Sequence, residues 1–239
     1  MDVSGCPLPD DCWVDFENDT WTRLQPDQLT CSMGVLASQA AFAGRYTSVR
    51  FRPVDGIIER GRSLATLESI RSTAPFRISL TGRVVARNTE LASRPKLLND
   101  DPYGRGWVVR FAPSDPGEIP HLLTAPAAVR APLEARIAER HIHCYPAAPD
   151  LEMYAIGSEC SATLAKLDEE LVRLGPDDVV LVITDDPTSP IEFVRWTDRT
   201  GHTLLHQRVN GNLHEFLIRK ERTPVPRARR AATGEVDRG

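Results

Sequence analysis

Lysine is scarce in this chain of 239 residues. Lysine and arginine together number 29, and only three of them are lysines, which are Lys96, Lys166 and Lys220. An arginine cannot replace a lysine as a nucleophile, because the guanidinium group stays protonated. Covalent chemistry on a lysine amine is therefore excluded before Lys96. We attribute the excess of arginine to genome composition rather than to function.

Other features that the sequence lacks argue against further classes of protein. No apolar run approaches the ~20 residues that a membrane helix needs, and residues 1–12 are acidic and contain proline, unlike a signal peptide. A net charge of −4 argues against wholesale binding of nucleic acid. The five cysteines are odd in number and form no regular framework, so we expect reduced thiols and a cytoplasmic protein.

The first half of the chain has the pattern of short β-strands. Residues 47–54, 63–67 and 82–86 alternate with a period close to two. Glycine-containing turn signals such as Asp55-Gly56 separate them. Many short strands with regular turns favour a sandwich or a barrel.

Three segments of this half carry a family resemblance. Residues 64–75 resemble the hairpin of the glycine cleavage system H protein and its lipoate-binding relatives, residues 5–21 resemble the opening of that family, and residues 97–107 resemble its closing signature. The resemblance covers about residues 5–115. It implies an all-β lipoyl-type barrel-sandwich hybrid as domain 1–115, in which the closing signature is scaffold.

The resemblance also singles out one position in the hairpin. The family residue that matches Arg71 is the lysine that carries lipoate. Attachment needs an amine that can lose its proton, which a guanidinium does not supply. We therefore expect a degenerate domain without lipoate, in which Glu68 and Ser69 are vestigial or repurposed.

A proline-bearing stretch follows the β region. We interpret residues 116–149 as a linker with a possible short helix at 129–140. His141, His143 and Cys144 form a compact cluster in it whose side chains are zinc or copper ligands by type. The spacing matches no standard zinc motif, and a fourth ligand would have to come from elsewhere in the chain, such as His121 or His202. We therefore interpret the cluster as a solvated segment and expect no metal.

The second half has an alternating α/β pattern. An amphipathic helix is predicted over residues 161–174, and a continuous apolar strand over 179–183. Asn210-Gly211 between two strand-like runs indicates a hairpin. The order β-α-β-α-β-β predicts a two-layer α/β sandwich over 150–220, and residues 221–239, with their prolines and arginine run, are interpreted as a disordered tail.

Cys160 is the strongest candidate for chemistry. It precedes the predicted helix, where unpaired N–H groups and the helix dipole favour a thiolate. A small buried residue packing the helix start is the alternative. Residues 155–163 resemble the motif of TusA-type sulfur carriers, and 184–187 resemble their Asp-Pro loop. That resemblance covers 150–220 and implies a persulfide on Cys160.

The motif departs from the family at two positions. Ser161 and Thr163 replace both prolines that follow the cysteine. Proline in the first turn presets the helical backbone, and we expect Ser161 to cap the helix instead.

Together the resemblances imply a cytoplasmic sulfur-transfer protein. Cys160 would exchange sulfane sulfur with donor and acceptor proteins, while the first domain would dock a lipoate-related or heterodisulfide-reductase-like complex, with neither nucleic acid nor membrane as a partner. A non-catalytic adaptor is the alternative, since both halves depart from family features. A glycine cleavage H protein is a third hypothesis and requires the missing amine.

Overall fold

The computed structural model describes residues 1–27 and 29–226. The chain divides into a first unit, Met1–Ala148, and a second unit that begins at Pro149. The expected two-domain fold, with a β-rich domain before an α/β domain, is confirmed. Across the described residues, no helix combines the length and apolar character that a bilayer crossing requires.

The first unit contains ten strands in three sheets. A five-stranded antiparallel sheet has the order β3-β4-β5-β10-β9, a three-stranded sheet has the order β6-β7-β8, and β1 pairs with β2. The strands are β1 Asp2–Val3, β2 Cys6–Pro7, β3 Trp13–Asp15, β4 Thr20–Leu24, β5 Cys31–Val35, β6 Tyr46–Phe51, β7 Ser63–Ser69, β8 Thr73–Arg77, β9 Gly82–Arg87 and β10 Val109–Pro113.

Four short helices accompany these strands, so the unit is not purely β. They are α1 Ala37–Ala43, α2 Leu97–Asp100, α3 Ile119–Leu122 and α4 Arg130–Glu139. One apolar core joins residues of the two larger sheets. A second core joins residues near the N-terminus with Trp21 and with Leu133 and Ile137 of α4.

This second core corrects the linker interpretation of residues 116–149. Leu133 and Ile137 are buried on the strand core, and Arg140 donates to Asp19 Oδ2 at 3.0 Å. Arg136 forms an ion pair with the same carboxylate. The prolines thus begin or interrupt short helices that belong to the first unit, because their apolar face has a surface to cover.

The cysteine chemistry also differs from the expectation. Cys6 and Cys144 form a disulfide across 138 residues, so these two thiols are not reduced. The bond ties β2 to the segment after α4. Cys12, Cys31 and Cys160 are free and buried.

The second unit has the predicted element order. A mixed four-stranded sheet, β11-β12-β14-β13, is accompanied by two helices. Its elements are β11 Leu151–Ala155, α5 Cys160–Arg173, β12 Val179–Thr184, α6 Ser189–Thr200, β13 Thr203–Asn210 and β14 Leu213–Arg219. Its core includes Phe193 of α6 and Phe216 of β14, whose rings stack with centroids 4.0 Å apart.

The predicted tail, 221–239, lies outside the described residues from 227 onward. Its beginning is held in place, contrary to the expectation of disorder. The backbone N–H of Glu221 donates to His202 Nδ1 at 3.1 Å, and Arg222 pairs with Asp177 at 2.7 Å.

Candidate functional site

Arg71 lies at the tip of the β7–β8 hairpin. Three residues, 70–72, connect the two strands. Ser69 Oγ accepts hydrogen bonds from the backbone N–H of Ser72 at 3.1 Å and of Arg71 at 3.3 Å. Ser69 therefore shapes the turn that presents residue 71, a local role that does not depend on lipoate.

The Arg71 side chain folds back toward α1. Its Nη1 donates to the carbonyl oxygen of Phe42 at 3.1 Å and to that of Ala41 at 3.4 Å. These carbonyls belong to the last turn of α1, the negative end of its dipole, which favours a cation. The guanidinium thus fastens the hairpin tip to a helix end instead of extending as a free arm.

The hairpin and α1 approach each other closely at Gly44. A Cβ atom there would lie 2.9 Å from Ile70 Cγ1, and Gly44 has a φ of 75°. Both the short contact and the positive φ favour glycine at this position. Asn99, in the predicted scaffold segment, donates to the carbonyl oxygens of Ala40 at 3.1 Å and Gly44 at 2.9 Å. The closing signature therefore holds the end of α1 under the hairpin. Nearby on β7, Glu68 forms an ion pair with Arg50.

Cys160 is the first residue of α5, one residue earlier than the predicted helix. Its backbone N–H donates to Asp186 Oδ2 at 2.7 Å. The neighbouring Asp185 accepts from the N–H of Gly157 at 2.8 Å, in the loop that leads into α5. The two carboxylates after β12 thus hold the start of the helix.

Ser161 does not cap α5, contrary to the prediction. It lies inside the helix and is exposed, and the N-cap residue Glu159 makes no side-chain capping bond. Thr163 donates from Oγ1 to the Glu159 carbonyl oxygen at 3.2 Å. The cap comes instead from Asp186 in the next loop, whose carboxylate accepts from the Cys160 N–H. Prolines at positions 161 and 163 would leave that N–H in place.

The thiol of Cys160 is neither accessible nor acidic in this structure. The residue is 4% exposed. Burial, followed by the negative charges of Asp186 and Glu192, raises the pKa of Cys160 to about 11. The expected thiolate is therefore disfavoured chiefly by burial, and the Asp186 carboxylate, which accepts from the Cys160 N–H, adds a negative charge beside it. Burial also raises the pKa of Cys12 and of Cys31 to about 12, so both free thiols favour the protonated form.

The weak metal candidates do not form a ligand set. Cys144 is bonded to Cys6 and offers no thiolate. The ring of His143 packs edge-on against Tyr145, with centroids 4.5 Å apart, and His141 has a left-handed backbone with a φ of 52°. Within the described ranges, no group of three or more His, Cys, Asp or Glu side chains is arranged to hold a metal ion.

The sequence does not single out two polar residues near Asp186, which are Ser189 and His214. Ser189 Oγ and His214 Nδ1 are buried, and neither atom has a hydrogen-bond partner among the residues that the structure describes. Ser189 follows the Asp-Pro loop directly, a signal that was available. His214 lies in β14, 54 positions after Cys160, and only the strand pairing brings it to this end of the sheet.

The two units define a class of protein, in which a lipoyl-carrier-like β domain precedes an α/β sulfur-carrier-like domain. The family model described as Glycine cleavage H-protein matches residues 14–134, and the one described as Sulfurtransferase TusA matches residues 155–220. The chain belongs to the glycine cleavage H-protein family and carries a TusA domain behind the H-protein domain.

Individual relatives match the first unit. Glycine cleavage system H protein 2 of Aquifex aeolicus is 33% identical over 141 residues, which cover 59% of this chain and 86% of that protein. Probable glycine cleavage system H protein 2 of Saccharolobus solfataricus is 33% identical over 144 residues, covering 59% and 95%. A solved H protein from Mycobacterium marinum aligns with 21% identity and a TM-score of 0.45, over 55% of this chain and 99% of that one.

Proposed function

We propose that the chain carries sulfane sulfur as a persulfide on Cys160, and that its first unit, without lipoate, docks a lipoate-dependent or sulfur-metabolising partner complex. The observation that carries the proposal is the place of Cys160. It opens the first helix of a TusA domain, beside the Asp186-Pro187 loop, at the end of the sheet.

The loop that leads into the helix of Cys160 is short and exposed. Residues 156–159, which connect β11 to α5, are all exposed, and Gly157 has a φ of 71° that suits a turn. Loading requires this loop to open, so that the thiol meets a donor, and requires the thiol to lose its proton. On this proposal, contact with a donor protein opens the loop and promotes loss of the proton.

Non-lipoylation is the second part of the proposal. It is supported by the guanidinium at residue 71, which bonds to Phe42 and Ala41 and cannot act as an acyl acceptor. A hairpin tip fastened to α1 offers a fixed surface to an enzyme that accepts lipoyl domains. We further propose a cytoplasmic location, with Cys6 and Cys144 paired while Cys160 cycles.

Mass spectrometry tests the sulfur proposal. The folded protein is incubated with a low-molecular-weight persulfide, and we expect a gain of one sulfur atom that a reductant removes. Cys160→Ser abolishes the gain, whereas Cys12→Ser, which removes a free and fully buried thiol, leaves it unchanged. Peptide mapping that places the sulfur on Cys12 or Cys31 would overturn the assignment.

The adaptor hypothesis remains the second candidate, and the burial of Cys160 favours it. A thiol that is 4% exposed and has its pKa raised to about 11 resembles a packing residue. The adaptor hypothesis predicts that Cys160 gains no sulfur, alkylates only after unfolding, and can be replaced by serine with partner binding intact. Sulfur uptake in the folded state decides against it.

A further inference from the structure

We propose that His214 is a positioning residue for Cys160, because it faces the Asp186 carboxylate that binds the Cys160 backbone and sets how much of that negative charge the thiol experiences. The inference that this interaction controls sulfur loading rests on the proposed function. Its electrostatic part can be measured without any sulfur donor.

The sheet places His214 beside the loops that carry the site. His214 pairs with Thr184 across β14 and β12, and Thr184 pairs with Ala155 across β12 and β11. Side chains two residues apart in a strand share a face, so His214 lies on the same face as the core residue Phe216. His214 and Phe216 therefore face the helices, and His214 lies at the end of the sheet where the chain enters α5 and α6.

Asp186 connects this row to Cys160. Its backbone N–H donates to Thr184 Oγ1 at 3.3 Å, and its carboxylate accepts from the Cys160 N–H at 2.7 Å. Hydrogen bonds from Thr188, then the bond from Cys160, and finally the charge of His214 lower the pKa of Asp186. One carboxylate thus interacts with both the cysteine and the histidine.

Ser189 supplies an independent observation at the same place. Ser189, Phe193 and Trp196 are the buried residues of α6, and Phe193 stacks on Phe216. One helical turn back from Phe193 is about 5.4 Å, and two strand residues back from Phe216 are about 6.8 Å. Ser189 thus lies about one helical turn from the Phe193–Phe216 contact, and His214 lies two strand residues from it. Each holds a buried polar atom that finds no partner within the described residues.

A charge at this position bears directly on the chemistry. In loading, the Cys160 thiolate attacks the outer sulfur of a donor persulfide, a bond forms between Sγ and that sulfur, and the donor S–S bond breaks. The donor leaves as a thiolate and takes up the proton that Cys160 lost, so no external oxidant is required. Positive charge on His214 offsets Asp186 and favours the thiolate that attacks.

Alkylation of Cys160 with iodoacetamide, followed from pH 5.5 to pH 8.5, tests the proposal in the full-length protein. His214→Gln removes the charge, His214→Lys makes it permanent, and His206→Gln is the matched control. His206 pairs with Leu217, one position from Phe216, and so lies on the opposite face of the same sheet. Other titratable groups near the site include Glu159, Asp185 and Glu192, and all variants retain them.

We expect His214→Gln to slow alkylation about three- to tenfold near pH 6, the size of a modest charge effect on a thiol pKa. The gap should be largest at the acid end of the range, where protonation gives the imidazole its charge. His214→Lys should equal or exceed the wild type at every pH, and His206→Gln should follow the wild type.

Other outcomes separate the two hypotheses. Superimposable profiles for wild type and His214→Gln overturn the positioning role, as does a His214→Lys profile that matches His214→Gln. Profiles that differ as expected in a protein that takes up no sulfur uphold the positioning role and overturn sulfur carriage. A folded protein in which Cys160 never alkylates overturns both.

Discussion

The backbone N–H of Cys160 donates to Asp186 Oδ2 at 2.7 Å, which places a carboxylate beside a thiol that is already buried. The same carboxylate accepts from the N–H and from the hydroxyl of Thr188, both at 2.7 Å, and is therefore fixed in place. It stabilises the start of α5 in the way that a capping residue does. It also places a negative charge where the helix dipole would otherwise act on Sγ.

Replacing that carboxylate by an amide should activate the cysteine. Asp186→Asn keeps an oxygen that can accept the Cys160 N–H and removes the charge, so the pKa of Cys160 falls and native alkylation near pH 7 accelerates about tenfold. Asp186→Ala removes the acceptor as well, so it should also lower the melting temperature of the second unit. Equal alkylation rates in Asp186→Asn and wild type would show that burial alone controls the thiol.

The pH dependence of the thiol has a defined sign. The pKa of Cys160 is raised in the folded state, to about 11, so folding favours the neutral thiol. Its stabilising contribution is complete below the unfolded pKa of about 8.5 and is lost as pH rises toward 11. We expect urea midpoints of the wild type to fall between pH 8.5 and 11 more than those of Cys160→Ser. Parallel declines would contradict the raised value.

The disulfide should stabilise the first unit. It links residues 138 positions apart, so it restricts a long loop of the unfolded chain, and bonds of this kind contribute about 2–5 kcal/mol. The variant Cys6→Ser with Cys144→Ser should unfold at lower denaturant under oxidising conditions. Reductant should lower the midpoint of the wild type to that of the variant, and leave the variant itself unchanged.

Separate cores predict separate unfolding. Phe193 is fully buried in the second unit and stacks on Phe216, so Phe193→Ala should cost the second unit about 3–5 kcal/mol. Phe76→Ala is the matched change in the core of the first unit, where Phe76 is also buried. Each change should move one calorimetric transition. A single transition that both changes shift equally would indicate one cooperative core.

Features encoded by short stretches were predictable from the sequence. The Asn210-Gly211-Asn212 signal predicted the last hairpin, and β13 ends at Asn210 while β14 begins at Leu213. The β-strand periodicity of residues 63–67 and 82–86 predicts β7 and β9 to within two residues, whereas β8 is expected only from the resemblance of residues 64–75 to the family hairpin. The amphipathic pattern of residues 161–174 places Cys160 just before a helix, and the structure makes it the first residue of α5.

Features that depend on distant pairing were not predictable. Asp186 reaches the Cys160 N–H across 26 positions, and Cys6 reaches Cys144 across 138. The residues next to these partners in the sequence do not indicate the contacts. At the start of α5, the local pattern points to Ser161 as the cap, whereas the cap comes from the following loop. The linker interpretation failed for a related reason. The density of prolines predicts a linker, whereas Leu133 and Ile137 of α4 are buried in the second core of the first unit.

Arg71 offers the sharpest test of the first unit. Arg71→Lys places an amine at the hairpin tip and leaves Ser69, Glu68 and the turn in position, so a lipoate ligase should modify the variant and not the wild type. Intact mass after co-expression with the ligase and lipoate gives the readout, and Arg71→Ala is the control that loses the guanidinium without gaining an amine. A lipoyl adduct on the wild type, at Lys96, Lys166 or Lys220, would refute the proposal. An unmodified Arg71→Lys variant would show that an amine at residue 71 is not sufficient for recognition by the ligase.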